Sequence, residues 1–408
     1  MTTEAAKAPF PRTFYYANAI ELFERLAFYG MYIGLSLYLS KVVGFSDIAG
    51  GALLGNFRLL SSLAPIVCGS IADKIGFKRA LVAAFTLYVV GYFLLFFVPT
   101  KALAVVSLVF VAIAGGFLKP VITGTVVRTA PPGREAEGFA VFYRMVNSGS
   151  VVGKTLAFLV RRFLAVRFVV VNSVIASAIA LLIVIFGYQE PERGKAADTS
   201  LGKTIRGYGE ALKNVRFAVF LVIFAGFYFM AEQFYMTFPK YVTRHIDAKA
   251  PLEIITLINP AMIALFQGFV TRRMRNVHPV TAMLLGVIIA SLSMFVMGSI
   301  PTLVGACLSG LIFALAEMTF SPRFYTYIAS FAPEGRAGMY MGLAFVPPAL
   351  GSWLGGQVSG VLISKYLPEV GARSPFIVWS SYAALGVVCG LLMFVYRHFA
   401  LKRAEVPV

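Results

Sequence analysis

The segment QEPERGKAADTSLGKTIRGYGEALK, residues 189–213, is the longest polar stretch of the chain. Six apolar runs precede it and six follow it. Most of these runs are about 20 residues long, which is the length of a helix that spans a bilayer. The sequence therefore predicts an all-α membrane protein with twelve transmembrane helices in two six-helix bundles. We expect the N-terminal bundle at residues 1–188, a cytoplasmic linker at residues 189–215 and the C-terminal bundle at residues 216–408.

The predicted spans account for most of the chain. Their approximate bounds are residues 14–39, 47–71, 77–98, 101–126, 137–160, 167–188, 216–240, 252–271, 279–298, 301–330, 336–364 and 375–397. Of the 408 residues, 59% are hydrophobic and 13% are charged, whereas soluble domains are roughly 45–50% apolar and 25% charged. This composition excludes a soluble enzyme and a disordered chain. An outer-membrane barrel is disfavoured, because its strands give alternating segments of ~10 residues.

The formal net charge of +18 could indicate a nucleic-acid partner, but the positions of the basic residues argue against one. Lys and Arg lie mostly in the short gaps between the apolar runs. With the N-terminus in the cytoplasm, the gaps on that side hold roughly twice as many of them as the opposite gaps. This pattern predicts a protein of the plasma (bacterial inner) membrane with both termini inside. We expect surrounding lipid, no nucleic-acid partner and a monomer.

Cysteine usage gives no sign of a metal or a disulfide framework. Cys68, Cys307 and Cys389 all lie inside apolar runs and are expected as small packing residues. We also find no nucleophile–base pair, phosphate-binding loop or metal-ligand cluster, so the sequence favours neither an enzyme nor a bound cofactor or metal. A receptor is disfavoured because no soluble sensor domain is present.

The gap between the second and third spans reads GSIADKIGFKR, from Gly69 to Arg79. It resembles the G-x-x-A-D-(K/R)-x-G-(K/R)-(K/R) loop signature of the major facilitator superfamily, whose two six-helix halves rock about a site near the membrane midplane. The resemblance implies that Gly69, Asp73, Gly76 and Arg79 belong to an inward gate. The corresponding gap of the second half, residues 268–275, keeps a glycine and the arginines but has no aspartate.

Ionisable residues within the spans are the candidate functional residues, because a charge at mid-membrane costs roughly 2.5–3.5 kcal/mol on insertion scales. The acids considered are Glu21, Glu24, Glu232 and Glu317. The spacing of Glu21, Glu24 and Arg25 places all three on one helix face. This cluster either carries protons and binds substrate or fixes helix packing, and the cost of three charges on one stripe favours the first interpretation.

Six span motifs resemble those of the proton-coupled oligopeptide transporters. In chain order they are Glu21-x-x-Glu24-Arg25-x-x-Phe28-Tyr29-Gly30, Gly116-x-x-Lys119-Pro120-x, Phe142-Tyr143-x-x-x-Asn147-x-Gly149, Glu232-Gln233, Asn259-Pro260 and Glu317-x-x-x-Ser321-Pro322. The first two are quite specific, whereas the Glu-Gln and Asn-Pro pairs are weak on their own. The resemblance extends over most of the chain and implies the major facilitator fold and proton-coupled uptake of small peptides.

The resemblance also implies individual roles. Glu21, Glu24 and Arg25 would couple protons to binding of the substrate carboxylate. Lys119 would hold that carboxylate or Glu317, and Glu317 would bind the peptide amino terminus. Tyr29, Asn147 and Asn259 would hydrogen-bond the peptide backbone, and Glu232 would support a gate in the seventh span.

The sequence departs from this family at several positions. Tyr32 stands where an arginine is common, and Ser62 and Ala344 stand where aromatic residues are expected. Additional bases occur in the spans. Arg144, one turn before Asn147, is expected to face the substrate; Arg323 is expected near a cytoplasmic helix end, and Lys154 is a candidate for snorkelling to the membrane surface. Fewer aromatic walls and an added base predict a preference for smaller or more acidic solutes.

Two transport functions remain open. The first is proton-coupled symport of peptides or peptide-like solutes, with a small molecule and protons as the partners. The second is proton antiport that exports drugs or metabolites. The loop at Gly69–Arg79 suits both, whereas the set formed by Glu21, Glu24, Arg25, Lys119 and Glu317 favours the symporter.

Overall fold

A computed structural model describes residues 9–132, 134–191, 201–333 and 336–402. Over these ranges the chain is helical, and they contain no β-strand. Both chain ends, and residues 192–200 of the expected linker, lie outside the described residues.

Twelve helices of 16 residues or more follow one another along the described part of the chain. The first six are α1 (Arg12–Lys41), α2 (Asp47–Ile75), α3 (Phe77–Phe97), α4 (Lys101–Thr129), α5 (Glu135–Phe163) and α6 (Val169–Phe186). The second six are α7 (Val215–Met236), α8 (Ile258–Arg273), α9 (Pro279–Ser299), α10 (Leu303–Ala329), α11 (Val346–Tyr366) and α12 (Pro375–Lys402). Nine of the helices in the described ranges are long and apolar enough to cross a membrane. The prediction of an all-α membrane protein is confirmed.

Three predicted spans are more broken than the sequence suggested. After α7 the chain continues through a short helix, Phe238–Tyr241, and a π-helical turn, Val242–Ile246. A helical turn at Leu252–Ile255 precedes α8, and a separate helix at Ala337–Leu343 precedes α11. Prolines lie in the first turn of Phe238–Tyr241 and of α11. Backbone N–H groups in a first turn have no partner within the helix, so proline is tolerated there.

The chain divides into two compact units. The first comprises Met1–Phe45 and Leu60–Leu201, and the second comprises Ser46–Leu59 and Gly202–Val408. The start of α2 therefore clusters with the second unit although α2 is one continuous helix. The division into residues 1–188, 189–215 and 216–408 stays a prediction.

In the first unit, glycines let α5 lie directly against α1. A Cβ placed on Gly149 would lie 2.4 Å from the carbonyl oxygen of Leu22, and one on Gly153 would lie 2.4 Å from that of Leu26. Gly149 and Gly153 are four residues apart, so they form one small-residue stripe, the usual means of close helix approach in membranes. This contact holds the face of α1 that carries the charged cluster.

In the second unit, the first turns of α2 lie against α11 in the same way. A Cβ on Gly51 would lie 2.6 Å from the carbonyl oxygen of Gly356, and one on Gly55 would lie 2.7 Å from that of Trp353. The indole Nε1 of Trp353 donates a hydrogen bond to Asn56 Oδ1 at 3.1 Å. These contacts fix the start of α2 within the second unit.

Candidate functional site

The charged cluster predicted on α1 is present and buried. The Nε atom of Arg25 lies 2.8 Å from Glu21 Oε1 and 2.6 Å from Glu24 Oε2. Glu21 and Glu24 are each 2% exposed and Arg25 is 9% exposed. One guanidinium therefore serves two carboxylates that are withdrawn from solvent, which is a costly arrangement unless further partners share the charge.

Two neighbouring helices supply such partners to Glu24. From α3, the hydroxyl of Tyr88 donates a hydrogen bond to Glu24 Oε1 at 2.8 Å. The ring of Tyr92, one turn further along α3, stacks on Tyr88 at 5.6 Å. From α4, Lys119 lies within electrostatic range of Glu24. The carboxylate of Glu24 thus sits among groups from three helices of the first unit.

Two predicted substrate contacts, Arg144 and Asn147, share an exposed face of α5 with Tyr143. Tyr143, Arg144 and Asn147 are all exposed, and their spacing of three and four residues keeps them on one side of the helix. The Nδ2 atom of Asn147 donates to the carbonyl oxygen of Tyr143 at 3.0 Å, so this amide is bound to its own helix. The contact of Arg144 and Asn147 with a substrate stays a prediction.

Lys154 does not snorkel. It is 2% exposed, and its Nζ atom lies over the ring of Tyr29 at 5.5 Å from the ring centroid. A cation over an aromatic face is attracted by the quadrupole of the ring, most strongly where both are desolvated. The residue therefore belongs to the interior contact of α5 with α1, beside the charged cluster.

In the second unit, two predicted site residues come together. The Nδ2 atom of Asn259 on α8 donates a hydrogen bond to Glu317 Oε2 on α10 at 3.0 Å. Arg323, one and a half turns beyond Glu317, instead donates to the carbonyl oxygen of Met274 at 2.8 Å, just past the end of α8. Arg323 therefore provides a hydrogen-bond donor to a carbonyl group at the C-terminal end of α8.

Glu232 on α7 is paired with a base for which no role was predicted. The guanidinium of Arg58 donates hydrogen bonds to Glu232 Oε1 from Nη2 at 2.6 Å and from Nε at 3.0 Å. Glu232 is 6% exposed, so the pair is largely desolvated. Arg58 lies near the end of the α2 segment that clusters with the second unit, and this ion pair joins that segment to α7.

A second ion cluster lies at the other end of the same α2 segment. The carboxylate of Asp47 accepts from Lys240 Nζ at 2.7 Å and from both terminal nitrogens of Arg244 at 2.8 and 2.9 Å. Arg244 also donates to the carbonyl oxygen of Leu367 and contacts Glu369 at 3.2 Å. These bonds tie α2, the π-helical turn after α7 and the segment after α11 together within the second unit.

The predicted gate loop is a tight turn between α2 and α3 in the first unit. Gly76 has φ of +94°, a left-handed conformation that glycine adopts without strain. Asp73 lies 3.2 Å from Arg128, whose guanidinium covers the ring of Phe77 at 4.0 Å. A Cβ on Gly69 would lie 3.3 Å from the ring of Pro120, so α2 passes close to α4 at this point.

The start of α3 beside this turn is capped by a residue of the expected linker. Glu190 accepts hydrogen bonds from the backbone nitrogens of Phe77 and Lys78, each at 2.7 Å. A carboxylate is favoured at a helix N-terminus, where backbone N–H groups are free to donate. Arg79 is exposed. A gating action of the loop stays a prediction.

Sequence reasoning missed Asp47, Arg58, Tyr88, Lys240 and Arg244. Asp47 looked like an ordinary residue at the start of a span, and Lys240 like a basic residue in a loop. The two are 193 residues apart, and no local spacing links them. Tyr88 stands among apolar residues, so its hydroxyl group was the one available signal.

A sequence model described as the Major Facilitator Superfamily matches residues 19–356 of this chain. Among the relatives, the "Multidrug resistance protein MdtH" of Sodalis glossinidius is 21% identical over 383 residues, covering 93% of this chain and 92% of the relative. "Peptide transporter family 1" of Drosophila melanogaster is 28% identical over 169 residues, covering 38% of this chain and 23% of that protein.

Solved structures of two kinds of transporter share the fold. A crystal structure of a peptide transporter, POT, in complex with sulfate superposes with a TM-score of 0.80 at 18% identity, covering 96% of each chain. The nucleoside transporter NupG gives a TM-score of 0.81 at 18% identity, covering 94% of this chain and 98% of that one. At these identities the likeness shows the fold alone.

Proposed function

The chain belongs to the Major Facilitator Superfamily, and from that premise we propose that it is a secondary active transporter which moves small peptides or peptide-like solutes together with protons. The observation that carries this proposal is the contact of one buried guanidinium, Arg25, with both Glu21 and Glu24. Burial disfavours a charged carboxylate, so one of two buried carboxylates that share a single guanidinium is a good candidate to bind the transported proton.

The arrangement suggests how binding and protonation are linked. Arg25 and Lys119 together balance Glu21 and Glu24, since Lys119 acts on Glu24 from α4. If a substrate carboxylate draws Lys119 away, the cluster is left with more negative than positive charge. Protonation of one carboxylate then restores the balance, so that substrate and proton are carried together.

The candidate residues also match the two ends of a peptide. Lys119 and Arg144 are bases for the substrate carboxylate, and Glu317, oriented by Asn259, is an acid for the substrate amino group. Tyr29 and Asn147 are hydrogen-bonding groups for the peptide backbone. The six motifs that resemble those of the proton-coupled oligopeptide transporters support this assignment.

Proton-driven export of drugs or metabolites is the second candidate. It is favoured by the MdtH relatives, which align with 93% of this chain, whereas the Drosophila peptide transporter aligns with 38%. The fold suits both directions of transport. The buried cluster on α1 would then exchange a proton for an outgoing solute.

Transport by purified protein in liposomes distinguishes the two functions. Under a gradient with acid outside, a symporter accumulates labelled dialanine inside the vesicles, and a protonophore abolishes the accumulation. An exporter expels a preloaded cationic dye under the same gradient in the correctly oriented fraction and leaves dialanine outside. Dialanine uptake that ignores the proton gradient would overturn the symport proposal.

A further inference from the structure

The helix Leu201–Leu212, which we call the linker helix, has two different faces. Its inner face lies on the short helix Ala337–Leu343 in the second unit. A Cβ on Gly207 would lie 2.4 Å from Met339 Sδ, and one on Gly342 would lie 2.4 Å from the hydroxyl of Tyr208. Ala211, on the same face, is 3% exposed.

The outer face of the linker helix is apolar but exposed. Ile205 is 57% exposed and Leu212 is 40% exposed, and Gly209 lies between them at helical spacing. Val215, three residues beyond Leu212, is 72% exposed and is the first residue of α7. Because α7 is a membrane span, the outer face of the linker helix ends close to the edge of the hydrocarbon core of the membrane.

Basic residues flank this apolar stripe. Arg206 is 84% exposed, although Glu210 lies 3.5 Å away from it, and Lys213 is exposed at the end of the helix. Residues 201–216 contain four Lys or Arg and one acid. An apolar stripe bordered by cations, on a helix that leads into a membrane span, fits the boundary between acyl chains and anionic headgroups.

We propose that the linker helix is an interfacial helix whose outer face binds anionic phospholipid in the leaflet where α7 begins. Ile205 and Leu212 enter the acyl boundary, and Arg206 and Lys213 contact headgroup phosphates. Since the inner face packs on Ala337–Leu343, lipid binding also steadies the chain that leads into α11. This inference is independent of the transported substrate.

A fluorescent probe on the outer face tests it in the full chain. A Cβ at Gly209 meets no atom within 4 Å, so Gly209→Cys accepts a bimane label, with Cys307→Ser to lower background labelling. We expect bluer emission in liposomes of mixed phosphatidylcholine and phosphatidylglycerol than in phosphatidylcholine alone. Added salt should reduce the difference, because it screens exposed charges.

Charge variants complete the test. The apparent affinity for phosphatidylglycerol is read from the bimane emission as the fraction of this lipid in the vesicles is raised. Arg206→Gln with Lys213→Gln should lower that affinity, by about fivefold for each charge removed. The matched control, Lys249→Gln with Lys365→Gln, removes one exposed charge that follows α7 in the chain and one in the last turn of α11, and it should leave that affinity unchanged. Equal emission in neutral and anionic vesicles, an equal loss in the control, or a shift produced by free glycerol phosphate would each overturn the proposal.

Discussion

The carboxylate of Asp47 lies 2.7 Å from Nζ of Lys240, and the two side chains are 13% and 2% exposed. Arg244, with a side chain that is 5% exposed, contacts the same carboxylate at 2.8 Å. Asp47 also lies in the first turn of α2, where the helix dipole favours a negative charge. One carboxylate therefore neutralises two nearly buried cations and anchors the start of α2.

We expect Asp47→Asn to lower the free energy of unfolding by about 3 kcal/mol, because it leaves two buried cations without their carboxylate. Thermal unfolding in detergent, followed by loss of monodisperse protein, measures the effect. Glu369→Gln is the matched control: Glu369 also contacts Arg244 but is 60% exposed, so its loss should cost less than about 1 kcal/mol. Equal destabilisation by the two changes would contradict this account, as would failure of Lys240→Met to restore part of the stability of Asp47→Asn.

Local patterns made the charged cluster of α1 predictable. Glu21, Glu24 and Arg25 lie within one and a half turns, and helical periodicity alone brings their side chains together. Twelve helices could likewise be predicted, because each apolar run is about as long as a helix that crosses the hydrocarbon core of a membrane. The pairing of Asn259 with Glu317 joins two helices, and only the resemblance to the oligopeptide transporters implied related roles for these two residues.

Contacts that depend on how distant helices meet were not predictable. Arg58 and Glu232 are 174 residues apart, and both were visible as charges in spans without any sign that they pair. Lys154 was misplaced for the same reason: periodicity does not reveal that the glycines of α5 bring this residue against Tyr29 on α1. Ser62 and Ala344 are also buried, at 8% and 4% exposure, and their place in the wall of a binding site stays a prediction.

Glu24→Gln and Glu21→Gln should uncouple transport. A neutral amide keeps much of the shape of the carboxyl group and can still accept a hydrogen bond from Tyr88, but it does not exchange a proton. We expect counterflow of labelled peptide to persist while accumulation driven by the proton gradient fails. Glu137→Gln, an exposed change on α5, serves as the control and should accumulate normally. Accumulation by both cluster variants would assign the proton to another group.

Lys119→Ala and Glu317→Ala should each reduce gradient-driven peptide uptake by more than about tenfold, because each change removes the charge proposed to bind one end of the peptide, and a hydrogen bond to a charged group contributes about 1.5–3 kcal/mol. Initial uptake rates at equal protein content provide the measurement. Lys101→Ala removes an exposed base from the first turn of α4 and should have little effect. Wild-type rates in both site variants would remove Lys119 and Glu317 from the substrate site.

Gly149→Ala should destabilise the first unit by about 1–3 kcal/mol, because the new Cβ would lie 2.4 Å from the carbonyl oxygen of Leu22 and would push α5 away from α1. Gly34→Ala is the matched control in the interior of α1. No atom lies within 4 Å of a Cβ there, so alanine should be neutral or should stabilise the helix by up to about 1 kcal/mol. Thermal unfolding of the two variants decides the matter, and a larger loss from Gly34→Ala would contradict the packing argument.

Arg144→Gln should change which peptides compete best. The case for acidic substrates depends most directly on Arg144, which lies exposed on the α5 face that also carries Tyr143 and Asn147. A cation there favours a ligand that brings negative charge, most strongly once water is excluded. In the wild type we expect acidic dipeptides to inhibit uptake at lower concentration than neutral hydrophobic ones.

The glutamine variant should reverse or remove this preference, with a loss for acidic dipeptides of about fivefold, equivalent to roughly 1 kcal/mol. Competition curves for acidic, neutral and basic dipeptides against one labelled substrate give the ranking. Arg167→Gln, which removes an exposed base from the turn Val166–Phe168 after the end of α5, provides a control for the loss of a positive charge from the first unit. If the ranking is the same in wild type, Arg144→Gln and the control, then Arg144 has no part in choosing the substrate, and the charge of the solute is selected by residues of the second unit or by Lys119.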